Sequence, residues 1–212
     1  MNDVSYWCVF FSAALALNLA PGPDLMYVLS RTVAQGTRIG LASAAGVSTG
    51  ALVHVAAAAF GLSAILATSA FAFAAVKYVG ACYLFYLGIQ ALRSGGTKFD
   101  LKTRETKMIL PWQAFRQGVL VDVLNPKVAI FFMAFLPQFV RPGHGAVSLQ
   151  LLVLGLLVIG VAIVVDSSFV LAASRTASYF RGHPRASLWL DRVLGSIFIG
   201  LGIRLALAEH RS

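Results

Sequence analysis

Two short stretches, in different halves of the chain, each place a helix-breaking proline and an ionisable residue inside an apolar segment. Residues 18–24 read Asn-Leu-Ala-Pro-Gly-Pro-Asp, and residues 122–127 read Asp-Val-Leu-Asn-Pro-Lys. Inside a bilayer a broken helix and a charge are both costly, so each needs partners or a function. Aligning Pro23-Asp24 with Pro126-Lys127 sets an acid in one half against a base in the other. The pattern predicts a membrane transporter with a site at two broken helices.

The composition favours a chain that lies almost wholly in the membrane. Hydrophobic residues make up 58% of the 212 residues and charged residues only 12%, whereas soluble domains carry about 25% charged residues. The net charge of +9 does not indicate nucleic-acid binding, because the basic residues lie at the ends of apolar runs, as lipid-facing topology requires. We expect one transmembrane domain over residues 1–212, with the lipid bilayer as its surroundings.

The sequence predicts an all-α integral membrane protein with six transmembrane helices, because each apolar segment reaches the roughly 20 residues that cross a bilayer. The predicted segments are 5–29, 40–65, 70–92, 113–139, 147–173 and 187–208. A polar linker at about 94–112 separates repeat one, about 5–93, from repeat two, about 113–208. Three spans per repeat is an odd number, so the second repeat enters from the opposite side, as an inverted repeat requires. Helices 1 and 4 are expected to break at their prolines.

The lysines and arginines are distributed unequally between the two faces that these six spans define. Twelve fall on the face of the linker: Arg31, Arg38, Arg93, Lys98, Lys102, Arg104, Lys107, Arg116, Arg175, Arg181, Arg185 and Arg192. Three fall on the opposite face: Arg141, Arg204 and Arg211. Positive charge accumulates on the cytoplasmic side, so the linker is predicted to be cytoplasmic and both termini periplasmic.

The first break is the run Pro21-Gly22-Pro23-Asp24. Proline removes a backbone donor and clashes with the preceding turn, so two prolines around a glycine interrupt the helix and free carbonyl groups that can hold a polar solute or an ion. Asp24 is then a candidate partner for a proton or an ammonium group. The alternative is a packing kink with Asp24 near the membrane interface.

The second break contains Asp122, Asn125, Pro126 and Lys127. A lone charge at the centre of a span costs about 2.5–3.5 kcal/mol, so Asp122 and Lys127 need partners. Five residues separate them, which puts them on different faces of an unbroken helix. We therefore favour pairing of Lys127 with Asp24, or with Asp166. A purely structural ion pair that locks two helices is the alternative.

Three more ionisable residues lie within apolar segments. Asp166 is deep in the fifth segment but within a few turns of Arg175, so a pocket and an interfacial position both stay open. His54 is near the middle of the second segment, where a hydrogen-bonded core histidine is more common than a proton relay. Lys77 is in the third segment and is either functional or directed outward along the helix.

Other kinds of site find little support in the sequence. Cys8 and Cys82 are far apart and do not form a Cys-x-x-Cys pair, so a thiol relay is not indicated, and both are expected to be buried apolar side chains. No metal-ligand cluster, phosphate loop or nucleophile–His–acid set appears at useful spacing. An enzyme, a cofactor and a bound metal are therefore not expected.

At this point the motifs resemble one known family, that of the lysine exporter and the homoserine/threonine efflux translocators. The resemblance rests on Asn18-x-x-Pro21-Gly22-Pro23-Asp24, on the glycine-rich stretch 36–50, on Lys77-x-x-Gly80-Ala81 and on Asp122-x-x-Asn125-Pro126-Lys127. Residues 195–204 are similar to the closing segment of that family. The resemblance implies a proton-driven exporter of amino acids in the bacterial inner membrane, built as two inverted three-helix halves and forming a homodimer.

The sequence and the resemblance together predict a secondary transporter that exports an amino acid or a close derivative in exchange for protons. Asp24 would meet the ammonium group or a proton, and Lys127 would meet the carboxylate. Protonation of Asp24 or Asp122 would weaken the ion pairing and so couple proton entry to solute exit. A passive channel for small polar solutes is the alternative, since it would use the same polar lining without protons.

Overall fold

The computed structural model describes residues 3–62 and 108–182, together with single positions within 71–93 and 192–203. In this part of the chain the regular elements are helices: α1 Asp3–Leu19, α2 Pro23–Gln35, α3 Thr37–Ala56, α4 Pro111–Val123, α5 Pro126–Ile130 and α6 Val147–Gly182. Wider π-helical turns continue α3 over Ala57–Leu62 and α5 over Phe131–Phe135, and a 3-10 turn completes the latter at Leu136–Phe139.

The two breaks expected from the prolines are present. Helices α1 and α2 meet at 54°, and α4 meets the helical stretch Pro126–Phe139 at 50°. Each second helix starts with a proline in its first turn, where the missing N–H costs nothing because no intrahelical acceptor faces it. Proline therefore ends one helix and begins the next at both places.

Two of the described helices, Thr37–Gly61 and Val147–Ala173, are long and apolar enough to cross a membrane unaided, and there are four such spans if each bent pair counts as one. The predicted spans 40–65 and 113–139 match the observed helices to within a few residues. The first span extends to Gln35 and the fifth to Gly182, beyond the predicted ends at 29 and 173, because polar residues continue both helices past the apolar run. Of the third and sixth predicted spans, 70–92 and 187–208, the structure describes single positions only.

Helix α3 is at the centre of the described part and packs against α2, α4 and α6. Its contact with α4 depends on glycine. A Cβ atom on Gly46 would clash with the carbonyl oxygen of Phe115, and one on Gly50 would lie 2.7 Å from the Cβ of Asp122. On α4, a Cβ on Gly118 would lie 2.5 Å from the carbonyl oxygen of Ser43. The small residues four apart on α3 thus serve close helix approach within the chain, as such stripes do in lipid.

A single residue, Gly36, joins α2 to α3, and its φ of +84° is a conformation that favours glycine. The tight turn makes the two helices antiparallel and fixes their register. A Cβ on Gly40 would meet the side chain of Thr32, and Val28 packs with Ala44. One further turn along each helix places Asp24 at the level of Ser48.

Contacts between the two halves of the chain flank the breaks at both ends. At one end the Tyr27 hydroxyl donates to the carbonyl of Ala114 at 2.8 Å, and Arg31 donates to the side chain of Gln117 at 2.9 Å. At the other end the Tyr6 hydroxyl donates to the carbonyl of Phe139 at 2.6 Å, and Arg141 binds Asp3 at 2.8 Å. Contacts between the two halves of the chain therefore lie on both sides of the breaks.

The prediction that both cysteines are buried is wrong. Cys8 and Cys82 are exposed, free thiols. Both occupy the outward faces of helices, where an apolar side chain is accepted in a membrane protein as readily as in a core. The hydrophobicity of cysteine alone therefore does not distinguish a buried position from an outward-facing one in a membrane protein.

Candidate functional site

The two breaks meet in the interior of the described helices. Asp24 lies in the first turn of α2, and Lys127 lies in the first turn of α5, in the other half of the chain. Asp24 is 8% exposed and Lys127 is 4% exposed. The Lys127 Nζ lies 3.0 Å from Asp24 Oδ2 and 3.1 Å from Asp24 Oδ1. This is the pairing favoured from the sequence. It also places Asp24 in the protein interior and paired, which does not fit the alternative of an exposed interfacial acid.

Lys127 has a second task at the first break. Its ammonium group also donates to the carbonyl oxygens of Leu17 at 3.2 Å and Ala20 at 3.1 Å. In an unbroken helix the oxygen of Leu17 would accept from the N–H of residue 21, which is a proline and has none. The three N–H donors of Lys127 are thus matched by Asp24 and two carbonyls that the break sets free.

Gly22 provides the space for this arrangement. A Cβ atom at that position would lie 2.5 Å from Asp24 Oδ1 and 2.7 Å from Lys127 Nζ, so a side chain there would displace the ion pair. The motif Pro21-Gly22-Pro23 therefore has a distinct reason for each member: the prolines open the helix and the glycine leaves room for the ammonium group that closes it. The side-chain amide of Asn18, from the same motif, donates to Ala14 O at 2.8 Å on its own helix.

The second break is closed differently. Pro126 cannot donate to the carbonyl of Asp122, which instead receives the N–H of Asn125 at 2.8 Å and contacts His54 Nε2 at 3.0 Å. A carbonyl oxygen only accepts, so Nε2 carries the hydrogen in this contact. The Asn125 side-chain oxygen accepts from Lys127 N–H at 3.1 Å and caps α5. His54 is thus hydrogen-bonded and buried.

Some polar side-chain atoms near the breaks are buried without a hydrogen-bond partner among the described residues. These atoms are Ser48 Oγ, Asp122 Oδ2 and Asn125 Nδ2. The nearest described basic group to Asp122 Oδ2 is His54 Nε2 at 4.0 Å, which is too far for a hydrogen bond. Ser48 was not expected from the sequence. The short turn at Gly36 pairs residues that lie equally far before and after it, and this register sets Ser48 opposite Asp24. The register could therefore have identified Ser48 from the sequence.

Asp166 on α6 completes the cluster of buried charge. It is 5% exposed, and its charge interacts with those of Asp24 and Lys127. Asp122 in turn interacts with Asp24, Lys127 and Asp166. We name these four residues the charge cluster. It contains three carboxyl groups and one ammonium group. Lys77, the remaining candidate from the sequence, lies outside the described residues.

The known proteins that this chain is similar to include translocators and efflux proteins. The family model described as LysE type translocator matches residues 15–209. A homoserine/homoserine lactone efflux protein of Salmonella typhimurium is 32% identical over 205 residues, which cover 97% of this chain and 98% of that protein. A leucine efflux protein of Salmonella choleraesuis is 28% identical over 206 residues, covering 96% and 95% respectively.

A further relative is an uncharacterized membrane protein of Pseudomonas aeruginosa, 31% identical over 211 residues, with 98% of this chain and 97% of the relative covered. No solved structure matches the chain significantly. Together with the long apolar helices, the membrane-protein relatives identify a multi-pass membrane protein.

Proposed function

The chain belongs to the LysE type translocator family, as the motifs of its breaks indicated, and we propose that it exports amino acids or close derivatives from the cytoplasm in exchange for protons. Relatives that align along nearly the whole chain are named as efflux proteins for homoserine, homoserine lactone and leucine. Their alignment over the full length supports the same class of solute, and a transporter rather than an enzyme.

The charge cluster is the observation that carries the proposal. Asp24, Asp122 and Asp166 are each buried, whereas Lys127 is the only buried lysine or arginine within residues 3–62 and 108–173. A buried charge without a counter-charge is expensive, and among the described residues one buried ammonium group faces three buried carboxyl groups. A site with this composition favours cations that arrive from solution. Protons and the ammonium group of an amino acid are both such cations.

Competition for the same carboxylate supplies a mechanism for exchange. A carboxylate that holds a substrate ammonium group cannot also hold a proton, so a proton entering from the periplasm releases the solute outward. The deprotonated carboxylate then attracts the next ammonium group from the cytoplasm. Asp122 and Asp166 fit this role because Asp24 is already paired with Lys127. The earlier role for Lys127, binding the substrate carboxylate, stays a prediction and requires that pair to open.

The remaining site residues support this polar centre. Pro21, Gly22, Pro23 and Pro126 shape the breaks, and Asn18 belongs to the same motif. His54 and Asn125 hold the second break in place. Lys77 is retained as a candidate on the sequence alone.

We also retain the organisation that the sequence implies. The proposal comprises six spans in two inverted repeats, about 5–93 and 113–208, with a cytoplasmic linker between them. The excess of lysine and arginine on one face supports periplasmic termini in a bacterial inner membrane. The homodimer is kept on the resemblance alone, and crosslinking in membranes tests it.

Transport by purified protein in proteoliposomes tests the function. Vesicles loaded with labelled leucine, homoserine and other amino acids are given a proton gradient, with and without an uncoupler. We expect release of at least one amino acid that accelerates with the gradient and slows when the uncoupler is added. Release that follows only the solute gradient would identify a passive channel, and no release of any amino acid would overturn the substrate class.

A further inference from the structure

At the second break, one acceptor and one donor on a single turn of the chain have no hydrogen-bond partner in the part of the chain that the structure describes. Asp122 and Asn125 are each 1% exposed, and neither Asp122 Oδ2 nor Asn125 Nδ2 has a hydrogen-bond partner among the described residues. Leaving such an atom buried and unpaired costs about 1–3 kcal/mol. Buried polar atoms are almost always satisfied, so two of opposite type at one break indicate a place for a polar ligand.

The groups nearest to these atoms are already engaged. Lys127 N–H donates to the side-chain oxygen of Asn125, which fixes the orientation of the amide and leaves its nitrogen without a described partner. His54 Nε2 is directed to the backbone carbonyl of Asp122 rather than to its side chain. The Lys127 ammonium group is matched by Asp24, Leu17 and Ala20. The unpaired atoms therefore cannot be satisfied by a small rotation of these neighbours.

From this geometry we propose that the second break binds the head group of the exported amino acid. Asp122 Oδ2 accepts from the α-ammonium group, and Asn125 Nδ2 donates to the α-carboxylate. The inference rests on the proposed function and makes it more specific. A backbone hydrogen bond from Asn125 N–H to the Asp122 carbonyl at 2.8 Å links the two residues. Both side chains therefore extend from the same turn of the chain. An amino-acid zwitterion has its ammonium and carboxylate groups bonded to the same carbon atom, so one acceptor and one donor on a single turn suit it.

The proposal assigns different tasks to the two breaks. The first break, closed by the ion pair of Lys127 with Asp24, contributes rigidity but no free donor from that ammonium group. The second break contributes contacts with both ends of the head group. Side chains of the solute then extend toward other parts of the site, which fits an exporter whose relatives are named for amino acids with side chains as different as those of leucine and homoserine.

Paired substrates with and without a carboxylate test this assignment. Counterflow exchange in proteoliposomes needs no proton gradient and is measured for L-leucine and L-leucine amide, and for L-homoserine and L-homoserine lactone. The variant Asn125→Asp keeps the oxygen that caps α5 but replaces the free donor by a carboxylate oxygen. We expect its KM for leucine and homoserine to rise at least about tenfold, and its KM for the amide and the lactone to change less than about twofold.

The variant Asp122→Asn is the matched control for the other end of the head group. All four probes carry an ammonium group, so its KM should rise about equally for all of them. Asn125→Ser, which also keeps a capping oxygen, replaces Asn125→Asp if that variant does not purify as a monodisperse protein, and the same selective loss is expected.

Two outcomes would overturn the assignment. Equal losses for all four probes in both Asn125 variants would mean that Asn125 only shapes the break or binds water. An unchanged KM in every variant would place the head group elsewhere. If the wild-type protein exchanges none of the four probes, the proposed function itself fails, and this result is distinct from a loss confined to the variants.

Discussion

The two breaks have the same design in sequence but are closed by different basic side chains, Lys127 at the first and His54 at the second. At the first break the carbonyls freed near Pro21 are capped by the ammonium group of Lys127, which comes from the other half of the chain. At the second break the carbonyl freed by Pro126 contacts His54, again from the other half. Each half of the chain therefore supplies the basic side chain that closes the break in the other half.

The two breaks differ in the polar side-chain atoms that lack a described hydrogen-bond partner. Lys127 matches its three donors with three acceptors and pairs with Asp24, so its ammonium group is satisfied. The second break retains Asp122 Oδ2 and Asn125 Nδ2 without described partners. A satisfied polar network rigidifies a structure, whereas a partly satisfied one is costly unless it meets a ligand. We infer that the first break serves mainly stability and the second mainly solute binding.

Removing the ammonium group from the first break should have the largest effect on stability. Lys127→Met leaves the carboxylate of Asp24 buried without its partner and two carbonyls without donors. Breaking a buried ion pair from one side costs about 3–5 kcal/mol. We expect a large drop in the thermal unfolding midpoint of the purified protein in detergent, with part of the protein lost to aggregates in gel filtration.

The double variant Asp24→Asn/Lys127→Met should recover part of this stability, because no uncompensated carboxylate remains at the break. Arg38→Met, which removes an exposed positive charge, serves as the control and should leave the midpoint nearly unchanged. A Lys127→Met protein as stable as the wild type would show that the first break does not depend on its ion pair.

At the second break the largest effect should be on transport rather than on stability. Asp122→Asn keeps the size of the side chain and the backbone carbonyl that contacts His54, so the fold is retained. It removes the negative charge proposed to hold the ammonium group, and such losses cost about 2–5 kcal/mol in binding. We expect efflux of leucine or homoserine to fall about 30-fold or more at low substrate concentration.

Asp3→Asn is the matched control, because Asp3 is an exposed acid that pairs with Arg141 away from the breaks; its efflux should equal that of the wild type. If Asp122→Asn transports normally while Asp24→Asn does not, the roles of the two breaks are reversed.

The sequence predicted the elements of this comparison but not the way they are satisfied. The prolines predict both breaks because the loss of an N–H and the clash with the preceding turn are local effects. The pairing of Asp24 with Lys127 followed from charge balance between aligned motifs. The Asn125 amide nitrogen, which has no partner among the described residues, could not be predicted, because its state depends on which neighbours from other helices are already engaged.

Some features that were not predicted nevertheless follow from the sequence. Helical spacing alone shows that Pro21 frees the oxygen of Leu17 and that Pro126 frees that of Asp122. The short turn at Gly36 pairs positions whose numbers sum to about 72, which sets Ser48 opposite Asp24. The continuation of α6 to Gly182 was missed for a different reason: a hydropathy pattern marks where the bilayer ends and not where the helix ends.

Close packing beside the second break provides a smaller test. A Cβ added at Gly50 would lie 2.7 Å from both Asp122 Cβ and Val119 O, so Gly50→Ala should push α3 away from α4. Overpacking of this kind costs about 1–3 kcal/mol and should lower the unfolding midpoint and displace Asp122. Gly160→Ala on α6 is the control, since no described atom outside its own helix backbone lies within 4 Å of its Cβ position. That change should stabilise the helix by up to about 1 kcal/mol, and equal effects of the two changes would contradict close α3–α4 contact.

The role of His54 gives the finest distinction between the breaks. Because its Nε2 donates to the Asp122 carbonyl, we expect the imidazole to act as a cap rather than as a proton carrier. His54→Gln supplies an N–H in place of Nε2 and should keep both stability and gradient-driven efflux. His54→Leu removes the donor and should cost about 1–2 kcal/mol, because Asn125 N–H still binds the same carbonyl. Efflux by His54→Gln that no longer responds to the proton gradient, in a protein of wild-type stability, would make His54 a proton relay. The second break would then bind the solute and also conduct the proton, whereas the first break would do neither.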